Sequence, residues 1–189
     1  MMSRRQTLRH TETQCPRIWL MTDPRFGADL LPAVKRLPVG SAVIFRHYEL
    51  EPPERRALFA RVRHICRQRG HLLLLAGDER TARHWHADGF HSRNGGRQSR
   101  MILRSAPVHN RRELSEALRV GADIILLSPI FSTASHPDTI GLGRTAFMAL
   151  ASQCGDMKVV ALGGMTARKA ATLDKRVVHG WAAIDALRL

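Results

Sequence analysis

Val159-Val160-Ala161-Leu162-Gly163-Gly164-Met165-Thr166-Ala167-Arg168 reads as a buried strand that ends in two glycines and turns at once into a helix. Val159 to Leu162 is the short apolar run of a parallel strand covered on both faces. Gly163 and Gly164 allow positive φ or a close approach of backbone to a ligand. Thr166 is a natural N-cap for a helix carrying Ala170, Ala171 and Leu173. Unpartnered amides at such a turn attract an anion, most often a phosphate.

Outward from this stretch the same unit repeats. Apolar runs predict strands at 18–22, 42–45, 72–75, 89–91, 101–103, 123–127 and 177–181. Between them lie helical spacings: Leu30, Leu31, Val34 and Leu37; Leu58, Val62, Ile65 and Cys66; Leu114, Ala117 and Leu118; Phe147, Leu150 and Ala151. A short helix is expected around Ala82 to Trp85, and another at the end of the chain. Pro52-Pro53 suits a helix start and Gly70 its end. Eight alternations of strand and helix with apolar strands mean a parallel sheet. The predicted fold is α/β, a compact single-domain (β/α)8 TIM barrel over residues 17–189. The alternative is an open doubly wound sheet. That fold would want a glycine fingerprint after the first strand, where the chain has Thr22-Asp23-Pro24-Arg25-Phe26-Gly27.

Composition narrows the function classes. The chain has 189 residues, a formal charge of +14 and a pI near 11.4. Only four of its 30 basic residues are lysines, a skew typical of coding bias rather than of a binding patch. One tyrosine and six phenylalanines, not interleaved with the basic residues, supply no base-stacking platform. Specific nucleic-acid binding is therefore not expected, whereas a preference for anionic small molecules is. No apolar run approaches the roughly 20 residues of a membrane span, and no partnership with a membrane is expected. The three cysteines, Cys15, Cys66 and Cys154, have neither a disulfide nor a metal spacing. A reducing cytoplasm suits them. Residues 1–16 read as a disordered basic tail, and 92–100 as a polar mobile loop. A homo-oligomer is left open.

In a barrel the site lies on the loops after the C-terminal strand ends. That selects Thr22, Arg46, Asp78, His91, Ser105, His109, Ser128, Thr133, Ser135, His136, Gly163 and Gly164. The loops after the seventh and eighth strands commonly hold a phosphate, so a phosphorylated small molecule is the expected ligand. His84, His86 and His91 do not make a zinc cluster, because residues two apart on a helix face different ways. His109 has a second reading as a cap for the helix of Leu114. Asp123 is expected to order the turn before its strand, and Asp185 to face outward at a helix start.

Ile-Trp-Leu-Met-Thr-Asp (18–23), Ile-Phe-Arg (44–46), Ala-Asp-Gly-Phe-His (87–91), Arg104-Ser105 followed by His109, Gly-Ala-Asp-Ile-Ile (121–125), Ser-Pro-Ile-Phe-Ser-Thr (128–133) and Ala-Leu-Gly-Gly-Met (161–165) occur in this order. Together they resemble the thiamine phosphate synthase family and its relative, the thiazole tautomerase TenI. The resemblance implies a (β/α)8 barrel that joins a hydroxymethylpyrimidine pyrophosphate to a thiazole phosphate and releases pyrophosphate. It implies that Arg46 and Ser105 contact pyrophosphate. Thr133 and Ser135 would hold the thiazole phosphate from one side, Gly164 with backbone near Ile184 from the other. The tautomerase alternative gives His109 a proton shuttle and needs no metal. A non-catalytic, phosphate-binding relative is the third reading.

The sequence also departs from the family. Tyr48 and His136 stand where lysines are expected. Ala76-Gly77 replaces an Asn-Asp pair, leaving Asp78 one place late as the only candidate metal ligand, and Gly96 replaces the second aspartate. The resemblance implies Mg2+, which needs hard oxygen ligands, but the family carboxylates are missing.

Overall fold

Short apolar runs become strands of one parallel sheet. The structure, a computed structural model, describes residues 15–93, 102–132 and 141–188. Its strands are β1 Ile18–Met21, β2 Ala42–Phe45, β3 Leu72–Ala76, β4 Gly89–His91, β5 Leu103–Val108, β6 Ile124–Leu127, β7 Lys158–Ala161 and β8 Gly180–Ala183. Each pairs in parallel with the next, and β8 returns to β1 with Trp181 opposite Ile18. The sheet therefore closes in chain order into a (β/α)8 barrel, and the open-sheet alternative falls. The helices are α1 Leu30–Arg36, α2 Pro52–Arg69, α3 Glu79–His84, α4 Arg111–Arg119, α5 Gly143–Ala151 and α6 Ala167–Ala170, with 3-10 turns at Pro24–Asp29 and Asp185–Leu187.

Strand alternation sorts the side chains into two layers. Trp19, Met21, Ala42, Ile44, Leu74, Ala76, Ile124, Leu126, Val160 and Ala182 fill the barrel interior. The alternate residues face the helices. Leu20, Val43, Phe45, Leu73, Leu75 and Phe90 pack with α1 and α2 residues in one outer cluster, and Ala106, Val108, Ile125, Leu127, Val159 and Ala161 in a second. Crowding selects glycine where neighbouring backbone comes closest. A Cβ on Gly180 would lie 2.5 Å from the Arg17 carbonyl oxygen.

Four boundaries differ from the sequence reading. β5 runs on from Leu103 through Pro107 to Val108. Ser105 accepts from Ser92 N, so the backbone at 105 and 107 faces β4. But β4 ends opposite Ser105, so the missing proline N–H leaves no ladder bond unmade. β8 begins at Gly180 rather than Val177. Val177 and Val178 instead belong to a turn closed on the Asp174 carbonyl, and Val178 is buried in the second outer cluster. α6 has only four residues, with Thr166 as its N-cap, so Leu173 lies beyond it. α3 starts at Glu79, earlier than expected, because Asp78 caps it. Cys15 and Pro16, which composition assigns to the tail, are bound to the barrel: Trp19 Nε1 donates to Pro16 O at 2.7 Å and His179 Nε2 lies 2.8 Å from Cys15 O. Residues 1–14 and 94–101 lie outside the described residues.

Candidate active site

The inward alternation does not stop where the strands do. Two residues beyond Ile44, Leu126, Val160 and Ala182 come Arg46, Ser128, Leu162 and Ile184, and all four line a cavity of about 560 Å³ at the C-terminal mouth of the barrel. Met21, Leu126 and Pro107 also line it, together with His91, His109, Tyr48, Gly163 and Gly164. Apolar side chains thus form much of the wall, with polar groups at two opposed sides.

On the β7–β8 side the wall is backbone. Gly163 and Gly164 have φ of +98° and +59°. A Cβ on Gly163 would lie 2.6 Å from Pro129 Cα, and one on Gly164 would lie 2.7 Å from Ser132 O. Among the described residues no backbone acceptor meets the N–H of either glycine. Lys169 Nζ braces the turn, donating to Gly164 O at 2.7 Å while lying 4.4 Å from the Phe131 ring centre. Ile184 and Asp185 close the cup at the start of the last 3-10 turn. Asp185 lines the cavity, but its carboxylate is ion-paired with Arg25 at 3.1 Å and half exposed, in keeping with an outward carboxylate. Thr133, Ser135 and His136 lie outside the described residues.

On the β2–β5 side the wall is side chain. Arg46 is held by Nε on Thr22 O at 2.7 Å and Nη2 on Asp23 Oδ2 at 2.8 Å. Burial raises the Asp23 pKa, but hydrogen bonds from Arg25 and the charges of Arg25 and Arg46 win, and its carboxyl sits below the usual range. Two of the five guanidinium N–H groups of Arg46 are thereby used. Ser105 is fully buried and does not line the cavity. With β5 extended it stands inside the barrel, its Oγ 2.9 Å from His91 Nδ1. The sequence places Ser105 on a loop against ligand; the residue that reaches the cavity is His91. Burial, with Arg46, Arg93 and His109 nearby, lowers the His91 pKa to about 3, so its ring is neutral.

His109 does not cap the helix. Asn110 does, accepting from Glu113 N at 3.0 Å, while Glu113 reaches back to His109 N at 2.9 Å and to its Nδ1 at 2.7 Å. Arg93 Nη2 also lies 3.2 Å from Nδ1, so a donor and an acceptor both face that one ring nitrogen. Burial opposes ionisation of Glu113, but these bonds and Arg93 hold its carboxyl below the ordinary value. The sequence reading passed over Glu113, although Asn110 followed three residues later by Glu113 is a capping-box signature.

The sequence model of the family described as thiamine monophosphate synthase matches residues 19–187. The chain belongs to this family. It is 28% identical over 182 residues to a putative thiamine-phosphate synthase 2 of Aquifex aeolicus, covering 91% of this chain and 97% of the relative. It is also 28% identical over 183 residues to a thiamine-phosphate synthase of Bacillus velezensis, covering 89% and 81%. A solved thiamine phosphate pyrophosphorylase from Pyrococcus furiosus superposes with a TM-score of 0.75 at 20% identity, covering 93% and 91% of the two chains. At that identity the superposition speaks for the barrel alone.

The family resemblance implies magnesium, and the residues present do not fit it. Asp78 is a helix cap, not a poised ligand. Its Oδ1 accepts from Thr81 N and its Oδ2 from Thr81 Oγ1, both at 2.8 Å. Asp185 is the only carboxylate lining the cavity among the described residues, and Arg25 holds it. Among those residues no three His, Cys, Asp or Glu converge as a metal site. None of the described helices is long and apolar enough to cross a membrane.

Proposed function

We propose that the chain works in thiamine biosynthesis as a synthase of its family's kind, coupling a hydroxymethylpyrimidine pyrophosphate to a thiazole phosphate. The observation that carries this reading is the glycine cup at one end of an apolar-walled cavity, opposite a cationic wall. The phosphate of the thiazole is held by the N–H groups of Gly163 and Gly164 and the backbone near Ile184, with Thr133, Ser135 and His136 as the further ligands that the family resemblance implies. Met21, Leu126 and Leu162 exclude water from the ring. The pyrophosphate of the other substrate lies toward Arg46, with His91 as a neutral hydrogen-bonding partner held by Ser105. The pyrimidine C–O bond breaks with its electrons leaving on pyrophosphate, and the thiazole nitrogen lone pair forms the new C–N bond. The ring nitrogen becomes cationic and no proton is lost. Arginine next to the departing oxygens stabilises the charge that develops there.

The purified chain, given both phosphorylated precursors, should form thiamine phosphate. No product under conditions where a Bacillus synthase turns over sinks the coupling. One observation favours a second reading: His109 lines the cavity with its ring bonded to Glu113, an arrangement suited to proton transfer on a thiazole phosphate. His109→Asn should then abolish isomerisation and leave phosphate affinity unchanged; full turnover in that variant removes the role.

A further inference from the structure

The β2–β3 end of the cavity is walled by a guanidinium and not by a carboxylate: Arg46 lines it, and Asp185 is the only carboxylate lining the cavity among the described residues. Asp23 and Asp185 are matched by Arg25 and Arg46, all four linked by ion pairs of 2.7–3.1 Å. Among the described residues Arg55, near the start of α2, bonds to carbonyls rather than to carboxylates, and Glu49 acts on its charge from nearby. Its Nε donates to Arg46 O at 2.9 Å and its Nη2 to Ala76 O at 2.7 Å, so the guanidinium spans the C-terminal ends of β2 and β3. It also lies 5.1 Å from the ring centre of Tyr48, which lines the cavity. Burial lowers its pKa, yet an arginine stays protonated at neutral pH. A cation fixed on carbonyls behind the wall that Arg46 and Tyr48 line disfavours a metal ion there and favours an anion, even with Glu49 nearby.

We propose that the β2–β3 end of the cavity is a metal-free diphosphate site, with Arg46 and Arg55 supplying the charge that a divalent cation would otherwise supply. This rests on the coupling reading above for its place in the reaction, but not for its chemistry. Arg46 offers the N–H groups not used on Thr22 and Asp23, a planar donor set suited to phosphate oxygens. Arg55 does not itself line the cavity; from behind Tyr48 it adds a second positive charge to the same end. The closing bonds to Arg46 O and Ala76 O hold both strand ends in register with the ligand.

The test is calorimetric titration of the full chain with inorganic pyrophosphate, once in EDTA and once in excess magnesium. Saturable binding in EDTA, not strengthened by magnesium, is expected. Arg55→Gln should weaken it about tenfold, whereas Arg55→Lys should stay within about threefold. Binding that appears only with magnesium, or in neither buffer, overturns the proposal, and so does an unchanged affinity in Arg55→Gln. Should that variant fail to fold, the EDTA titration of the unaltered chain decides alone. The two readings fail separately. Pyrophosphate binding in EDTA without any thiamine phosphate formation removes the coupling and keeps the site. Coupling that proceeds while pyrophosphate binds only through magnesium does the reverse.

Discussion

The two polar sides of the cavity are made of different material. At β7–β8 the ligand surface is main chain: two glycines in positive φ, packed so tightly against Pro129 and Ser132 that no side chain fits. At β2–β5 it is side chain: Arg46 and His91, held from the β1 loop and from β5, and His109, held by the helix that follows it. A backbone surface has one chemistry, donation to an anion, and steric crowding defends it. A side-chain surface can change its chemistry one substitution at a time while the barrel beneath stays the same. The family resemblance implies that this chain retains the first and alters the second.

That contrast breaks most sharply at Gly164. Gly164→Val places a β-branched residue at a φ of +59° with its Cβ against the Ser132 carbonyl. A loss of about 2–4 kcal/mol in urea unfolding is expected, together with loss of thiazole phosphate binding. A variant that melts and binds like the parent would show that the cup is not steric in origin.

The next effect belongs to the opposite side and appears with acid. The folded-state pKa of His91 is about 3 against an ordinary value of 6.5. Between those values the unfolded chain binds the proton and the folded chain does not, so stability falls as pH drops through that window. At 1.4 kcal/mol per unit, moving from pH 7 to pH 5 costs about 2 kcal/mol. His71 and His179 are also lowered, chiefly by burial, and add in the same direction. His91→Gln should flatten the slope of unfolding free energy between pH 7 and 5. An unchanged slope would place the ring in contact with water rather than within the buried wall.

The sequence carries one side far better than the other, for a physical reason. Strand periodicity is local, and so is a glycine pair after a strand, which is why the barrel and the cup are legible along the chain. Continuing the inward alternation past Val160 would also have found Leu162 as a wall residue. The cationic side depends on contacts distant in sequence. Arg55 meets a carbonyl 21 residues away, and Ser105 meets His91 across 14. The sequence places Ser105 past a strand ending at Leu103; β5 instead runs on to Val108, and the end of β4 at His91 explains why Pro107 is tolerated there. Asp78 looked available because a carboxylate at a strand tip and a helix cap have the same sequence signature.

A smaller effect separates the two readings of His109. Glu113→Gln keeps the bond from His109 N but weakens the one from Nδ1, and should cost about 1 kcal/mol in thermal unfolding. If His109 moves a proton, the same change should shift the pH profile of isomerisation while thiazole phosphate affinity stays constant. If the pair only closes the turn before α4, stability falls and the profile does not move.

The smallest effect tests the cationic side by what it lacks. Asp78 is the one carboxylate near the β3 end that family resemblance offers to magnesium. The structure engages both of its oxygens on Thr81, and those bonds, with burial opposing, hold its carboxyl below the usual range. Asp78→Ala should therefore behave as the loss of an N-cap, costing about 1 kcal/mol, with no change in pyrophosphate affinity in either EDTA or magnesium. Asp78→Asn, which can still accept from Thr81 N, should recover much of that stability. If instead the alanine variant loses a magnesium-dependent step while keeping its stability, the aspartate has swung from its cap to the metal. The β2–β5 wall would then have relocated its ligand rather than replaced it.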